Sequence, residues 1–104
     1  MDLSPIYLEE FEFNGIKIRP NKKLRLTPYL GDKRFIRIEY EPWALCVFAE
    51  DRNTLLRNLS EQLYVLWVEF AEEVDSKLGR HSLKIKQRLL EDFSAFKSSD
   101  PIIN

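Results

Sequence analysis

One cysteine, one histidine and three glycines are all that 104 residues hold of three residue types on which much protein chemistry depends. The lone thiol, Cys46, excludes an internal disulfide and any zinc site built from several cysteines. Lying in an apolar stretch, it reads as a buried, inert side chain. His81 is the single imidazole, so general acid–base catalysis lacks its commonest agent, and no nucleophilic triad can be assembled. Its place between Arg80 and Ser82 at a helix start reads as exposed or capping. Three isolated glycines make no phosphate-cradling loop. No apolar run approaches the roughly 20 residues that a membrane span needs. Residues 1–10 hold three carboxylates and no apolar stretch, so no leader segment is expected. These absences predict a cytoplasmic, reducing setting, with no cofactor, no metal ligand and no catalytic residue to name.

What is present suits a packed core. Hydrophobic residues make up 44% of the chain and aromatic residues 12%, enough for one domain of this length without staples. The expectation is a single α+β domain over 1–104, with 98–104 frayed. The net charge of −1 conceals segregation. Residues 2–14 carry −4, residues 15–37 +7, residues 38–76 −7 and residues 77–104 +3. Such blocks read as solvated faces that complement one another, or as a basic surface that meets an acidic partner.

The sharpest local signal is "EFEFNGIKIR". Asn14-Gly15 suits the two positive-φ positions of a type I′ turn. That turn sets Phe13 opposite Ile16 and Phe11 opposite Ile18 on one face, with Glu12 opposite Lys17 and Glu10 opposite Arg19 on the other. Pro20 ends the second strand. A third strand is expected over 23–27 and a fourth over 35–40, with Ile36, Ile38 and Tyr40 on one side and Arg37 and Glu39 on the other. "WALCVFA" reads as apolar on both faces, the mark of a central or doubly covered strand.

A helix capped by Asp51 or Asn53 then carries Leu55, Leu56, Leu59, Leu63, Leu66, Trp67, Phe70, Val74 and Leu78 on one stripe, with Gly79 at its C′ position. A second helix is expected over 82–96, with Ile85, Leu89, Phe93 and Phe96 inward and Leu83 and Leu90 widening that face. The predicted architecture is an antiparallel sheet of four to five strands followed by two helices packed on one face. Within "LYVLWVEFAEE", Tyr64, Val65 and Val68 fall opposite the core stripe, ringed by Glu61, Glu69 and Glu72. Three apolar side chains within five residues make an exposed patch unless the second helix or "SPIYL" covers them.

From Phe35 onward, two strands lead into a capped helix through "VFAEDRNTLLRNLSEQL". This stretch resembles the β-β-β-α module of HicB-type antitoxins, a shortened ribonuclease-H-like fold, over about forty residues. Arg52 stands where that family has a glycine, and Asn58 where it has an alanine. The DNA-binding segment common in those antitoxins has no counterpart in this sequence, which counts against operator binding more than against the partner binding that the resemblance implies. The pattern is also similar to short uncharacterised bacterial single-domain proteins.

The function these features predict is a non-catalytic protein-interaction module, antitoxin- or accessory-like. Tyr64, Val65, Val68, Glu61, Glu69 and Glu72 are its contact residues. The partner is the product of an adjacent gene, a second copy across a two-fold axis, or both. One alternative is a nucleic-acid-binding accessory using Lys22, Lys23, Arg25, Lys33, Arg34 and Arg37, although exposed stacking aromatics are not evident in that run. Another is a carboxylate or metal-dependent enzyme around Glu69, Glu72, Glu73 and Asp75.

Overall fold

A computed structural model describes residues 2–97, and the expected fraying of 98–104 lies outside them. The Asn14-Gly15 turn is as expected, with φ of 50° and 78°. It joins β2 to β3 in a chain that begins with β1 (Ile6–Tyr7), β2 (Phe11–Phe13) and β3 (Ile16–Pro20). The register is Phe13↔Ile16, Glu12↔Lys17 and Phe11↔Ile18. Beyond it, Arg19 Nε reaches Glu10 Oε1 at 3.1 Å. Each face of the hairpin therefore matches like with like, apolar to apolar and acid to base.

Next come β4 (Arg25–Leu26), β5 (Tyr29–Leu30), β6 (Ile36–Tyr40) and β7 (Leu45–Ala49). Helices α1 (Arg52–Leu66) and α2 (Arg80–Asp92) follow, then β8 (Phe93–Lys97). The class is α+β, and every strand pair is antiparallel. The described strands form three groups in place of one sheet: β1–β4, β2–β3–β8 and β5–β6–β7. Strands β1, β5 and β8 have no counterpart in the sequence reading, which passes from the strand at 23–27 to that at 35–40 through a connection. Ile18, Ile36, Ile38, Trp43, Leu55 and Leu89 are fully buried between these groups and the helices.

Asp51 is the α1 cap, accepting a 2.8 Å hydrogen bond from the Thr54 backbone N–H. That N–H holds the Asp51 carboxyl below its ordinary pKa. Leu55, Leu59, Leu63, Leu66 and Trp67 are buried as the stripe requires. The α-helix, however, stops at Leu66 and widens into a π turn over Trp67–Ala71. There Glu72 N–H donates to the Trp67 carbonyl, and both Trp67 and Ala71 turn into the core. Val74, expected in the stripe, is 53% exposed. Lys86 fixes this ending: its ammonium reaches the Glu73 carbonyl at 2.6 Å and Asp75 Oδ1 at 2.7 Å. Gly79 does not stop α1. It is the extended N-cap residue of α2, with φ −77°.

The second helix ends at Asp92, four residues earlier than its apolar spacing suggests. Phe93 is extended, at φ −135° and ψ 156°, and opens β8 along the edge of β3, with Phe93 opposite Pro20 and Phe96 opposite Lys17. Phe96 is 45% exposed beneath the Arg19 guanidinium, 4.8 Å from the ring centre. Pairing a whole strand edge outweighs one more helical turn, because β3 would otherwise lack ladder partners on that side.

At this junction sits a fully buried carboxylate. Asp92 Oδ2 accepts from Trp43 Nε1 at 2.7 Å and from Arg88 Nε at 3.0 Å. Its Oδ1 takes no directed hydrogen bond among the described residues, but the Lys22 ammonium stands 3.1 Å away. Arg88 also donates to the Tyr40 hydroxyl at 2.9 Å, and Trp43 lies between the rings of Tyr40 and Phe93 at 4.3 and 5.0 Å.

Two stability outcomes follow from this architecture. Gly15→Val should cost about 1 kcal/mol or more, since a β-branched residue resists positive φ; unchanged urea unfolding would show the hairpin to be marginal. Asp92→Ala should cost about 3–5 kcal/mol, because it leaves the Trp43 N–H and the Arg88 charge without their buried acceptor. A loss below 1 kcal/mol in the same assay would remove Asp92 from its structural role.

Candidate functional site

Three features set the β5–β6–β7 sheet apart from the rest of the fold. The first is its outer face. In an antiparallel sheet, cross-strand partners point to the same side, so the register Tyr29↔Arg37↔Phe48 makes one row and Glu39↔Cys46 makes another. Phe48 is 50% exposed and Tyr29 41%. The Arg37 guanidinium lies 5.6 Å from the Phe48 ring centre, and Phe35 packs edge-on against Phe48 at 5.5 Å. The Tyr29 hydroxyl, hydrogen-bonded to the Glu39 carboxylate, has its pKa raised above the ordinary phenol value. Strand β7 therefore alternates inward and outward and is not covered on both faces. Cys46 is exposed, not buried, and its Sγ lies 3.8 Å from Glu39 Oε2.

The second feature is the β7 edge. Phe35 N–H donates to the Asp32 carbonyl, and the Phe35 carbonyl accepts from Gly31 N–H, both on the β5 side. Backbone groups alternate direction along a strand. Ile36 therefore faces β7, Arg37 faces β5, and the Phe48 N–H and C=O point away from β6 into the open edge. By the same alternation those of Cys46 do too. The Asn58 side-chain amide of α1 marks this direction by donating to the Phe48 carbonyl at 3.2 Å. A groove of about 430 Å³ runs between this edge and α1, with Cys46, Phe48, Asn58, Glu61 and Val65 among its walls.

The third feature is strain at the β5–β6 turn. Lys33 and Arg34 have φ of 58° and 68°, the left-handed region that type I′ turns reserve for Asn and Gly. Two long basic side chains are held there, on an exposed tip beside Phe35 and Arg37.

The predicted contact residues divide. Val65 and Val68 are 40% and 39% exposed, and Glu61, Glu69 and Glu72 are exposed around them. Tyr64 leaves the patch. Its ring stacks on Phe13 at 5.2 Å and its hydroxyl accepts from Asn14 Nδ2 at 2.8 Å. The hairpin turn covers it, and neither "SPIYL" nor the second helix does. "SPIYL" instead lines the other flank of α1, facing Leu56, Leu59 and Leu63 across a cleft of about 460 Å³. Arg52 holds that segment through the carbonyls of Asp2, Ser4 and Pro5. The strip left on the surface is Phe48, Val65 and Val68, and the sequence reading missed Phe48.

The basic block also divides. Lys33, Arg34 and Arg37 stay together at the hairpin tip. Lys22 is drawn to Asp92, Lys23 lies over the Tyr7 ring at 5.2 Å, and Arg25 is opposite Tyr7 in the ladder. His81 is exposed in the first turn of α2. Among the described residues, no three His, Cys, Asp or Glu side chains converge as a metal ion would need. No helix there is long and apolar enough to cross a membrane.

Comparison with protein-family models, with curated proteins and with solved structures found no match.

Replacing Lys33-Arg34 with Asn-Gly should stabilise the domain by about 1–2 kcal/mol, by removing left-handed strain from two side-chain-bearing residues. Chemical denaturation reads this directly, and an unchanged midpoint would show the turn to be unstrained.

Proposed function

We propose that this chain is a non-catalytic protein-interaction module, antitoxin- or accessory-like, that docks its partner on the strip Phe48, Val65 and Val68. The observation that carries this reading is the continuity of the strip. The groove between β7 and α1 has Phe48 on one wall and Val65 on the other, and Val68 follows Val65 one helical turn on. Glu39, Glu61, Glu69 and Glu72 are exposed around it, an apolar centre with a polar rim as docking surfaces have. The acidic rim steers a basic partner surface towards it. An exposed free thiol at Cys46 accords with a reducing, cytoplasmic setting. The likeness to HicB-type antitoxins supports the same reading, since those proteins work by holding a protein partner.

A second reading is favoured by one arrangement. Tyr29 and Phe48 flank Arg37, with Lys33 and Arg34 at the adjacent tip, which supplies stacking rings and cations on one sheet face. Oligonucleotide binding that weakens steeply with salt would support it.

The test of the protein-docking reading is a pair of purifications from the native host at physiological salt. The wild type should bring down one protein, basic on its docking face, in stoichiometric amount. Val65→Lys with Val68→Lys should fold normally by circular dichroism and lose it. A double variant that unfolds would make these residues core, and one that keeps its partner would move the docking site elsewhere.

A further inference from the structure

We infer that the open edge of β7 pairs antiparallel with the same edge of a second copy, about a two-fold axis through Val47. This deepens the docking reading, on which it rests: the occupant is a second copy, and its exposed Lys33-Arg34 tip is the basic surface that the acidic rim meets.

Edges of natural sheets are guarded by brevity, charge or proline. Strand β5 has two residues, β2 has three with Glu12 at its centre, and β8 ends in Lys97. Strand β7 has five residues, Leu-Cys-Val-Phe-Ala, with no charge and no proline. Among the described residues it pairs with β6 alone; on its outer side the Asn58 amide donates to the Phe48 carbonyl, and Glu61, Gln62 and Val65 of α1 line the far wall of the groove.

The backbone geometry selects one register. The outward-facing residues are Cys46 and Phe48, two positions apart. An antiparallel ladder needs outward residues opposite one another, each exchanging two hydrogen bonds. An axis through Val47 does this, setting Cys46 opposite the partner's Phe48 and Phe48 opposite the partner's Cys46. Val47 then faces the partner's Val47 as a non-hydrogen-bonded pair. Moving the axis to Cys46 or Phe48 would set that residue against itself but leave the other outward residue against Ala44 or Glu50, at the ends of the strand. On the exposed face, each Phe48 ring lies over the partner's Cys46. The product is a six-stranded sheet, β5–β6–β7 continued into its copy.

Charge fits the same operation. Helix α1 starts three residues after β7 ends and runs back along it, with Asn58 level with Phe48. The Lys33-Arg34 tip therefore lies beyond the Ala49 end of β7, and Glu69 and Glu72 lie beyond its Leu45 end. A two-fold axis through Val47 reverses this gradient. It carries the basic tip of one copy to the end where the partner's Glu69 and Glu72 stand. Arg57, exposed one helical turn before Glu61, turns towards the partner's Glu61. A self-complementary patch of this kind closes as a dimer, not as a fibre.

The test uses the full chain in four measurements. Sedimentation equilibrium should give twice the chain mass at high concentration, with the association weakening as salt rises. Hydrogen exchange should show the Cys46 and Phe48 amides slowed about ten-fold or more in the dimer relative to dilute protein, since both then enter a ladder. Val47→Cys in a Cys46→Ser background should form an interchain disulfide under mild oxidation, because non-hydrogen-bonded partners sit about 4.5 Å apart at Cα, within disulfide reach. Ala49→Cys in the same background, opposite the partner's Leu45, should not. Cys46→Pro removes an outward N–H without touching the β6 ladder and should give a folded monomer. A wild type that stays monomeric overturns strand pairing and leaves the docking reading to the purification test. A dimer whose Cys46 and Phe48 amides exchange freely, yet which Val65→Lys with Val68→Lys dissociates, overturns strand pairing and keeps the helix face. Equal cross-linking through Ala49→Cys overturns the register.

Discussion

The carboxylate of Asp92 is the constraint on which the rest of the fold depends. A buried carboxylate is tolerable only with its charge paired, and here two hydrogen-bond donors on Oδ2 and one ammonium near Oδ1 come from three separate parts of the chain. Arg88 is one turn earlier on α2, Trp43 is in the turn between β6 and β7, and Lys22 follows β3. To bring them together, the end of α2 must lie between the two three-stranded sheets. Asn21 closes the same junction, its N–H on the Asp92 carbonyl and its side chain on Glu91 and Ser94. With the helix end fixed there, the chain leaves it extended and β8 falls along β3. One desolvated charge thus sets where a helix stops, which edge is sealed and how the two sheets are held together.

Nothing in the sequence marks that residue. "LLEDF" reads as the solvated end of a helix, and the partners of Asp92 lie 49 and 70 positions away in Trp43 and Lys22. What is legible is local. The Asn14-Gly15 turn, its register and the Asp51 cap each depend on residues within a few positions of one another, and each is found as expected. The α1 stripe holds for four turns and fails where a contact from another helix, Lys86 on Glu73 and Asp75, ends it. Phe93 and Phe96, three apart, share a face in a helix but not in a strand, so their spacing favours the helix, and the presence of the β3 edge overrides it at the cost of exposing Phe96.

The candidate surface was half legible for the same reason. Val65 and Val68 are exposed because they oppose a stripe that can be counted, whereas Tyr64 is covered by a hairpin turn 50 positions earlier. Phe48 and Cys46 look buried in a run that is apolar throughout. A usable signal lay in the neighbouring strand: Arg37 and Glu39 must face solvent, and antiparallel partners share a face, so Phe48 and Cys46 must face solvent too. Composition of β7 alone cannot show this; its pairing with β6 does.

Departures from folding economy gather on one sheet. The first sheet is built by rule, with Asn and Gly in its turn, acids opposite bases and one edge sealed by β8. The second has Lys and Arg where a tight turn asks for Asn and Gly, a half-exposed phenylalanine, and an uncharged edge with its backbone groups turned outward. Each is unfavourable for an isolated chain, through left-handed strain, unburied apolar area and an edge with no strand partner respectively. An occupant at the β7 edge would bury the Phe48 face and satisfy the outward backbone groups in one step. It would also give the basic tip an acidic surface to meet, so the strained turn would be kept for the charges it displays. The folding problem is solved at Asp92, and the features that folding does not need are on the far side of the second sheet, where a partner can use them.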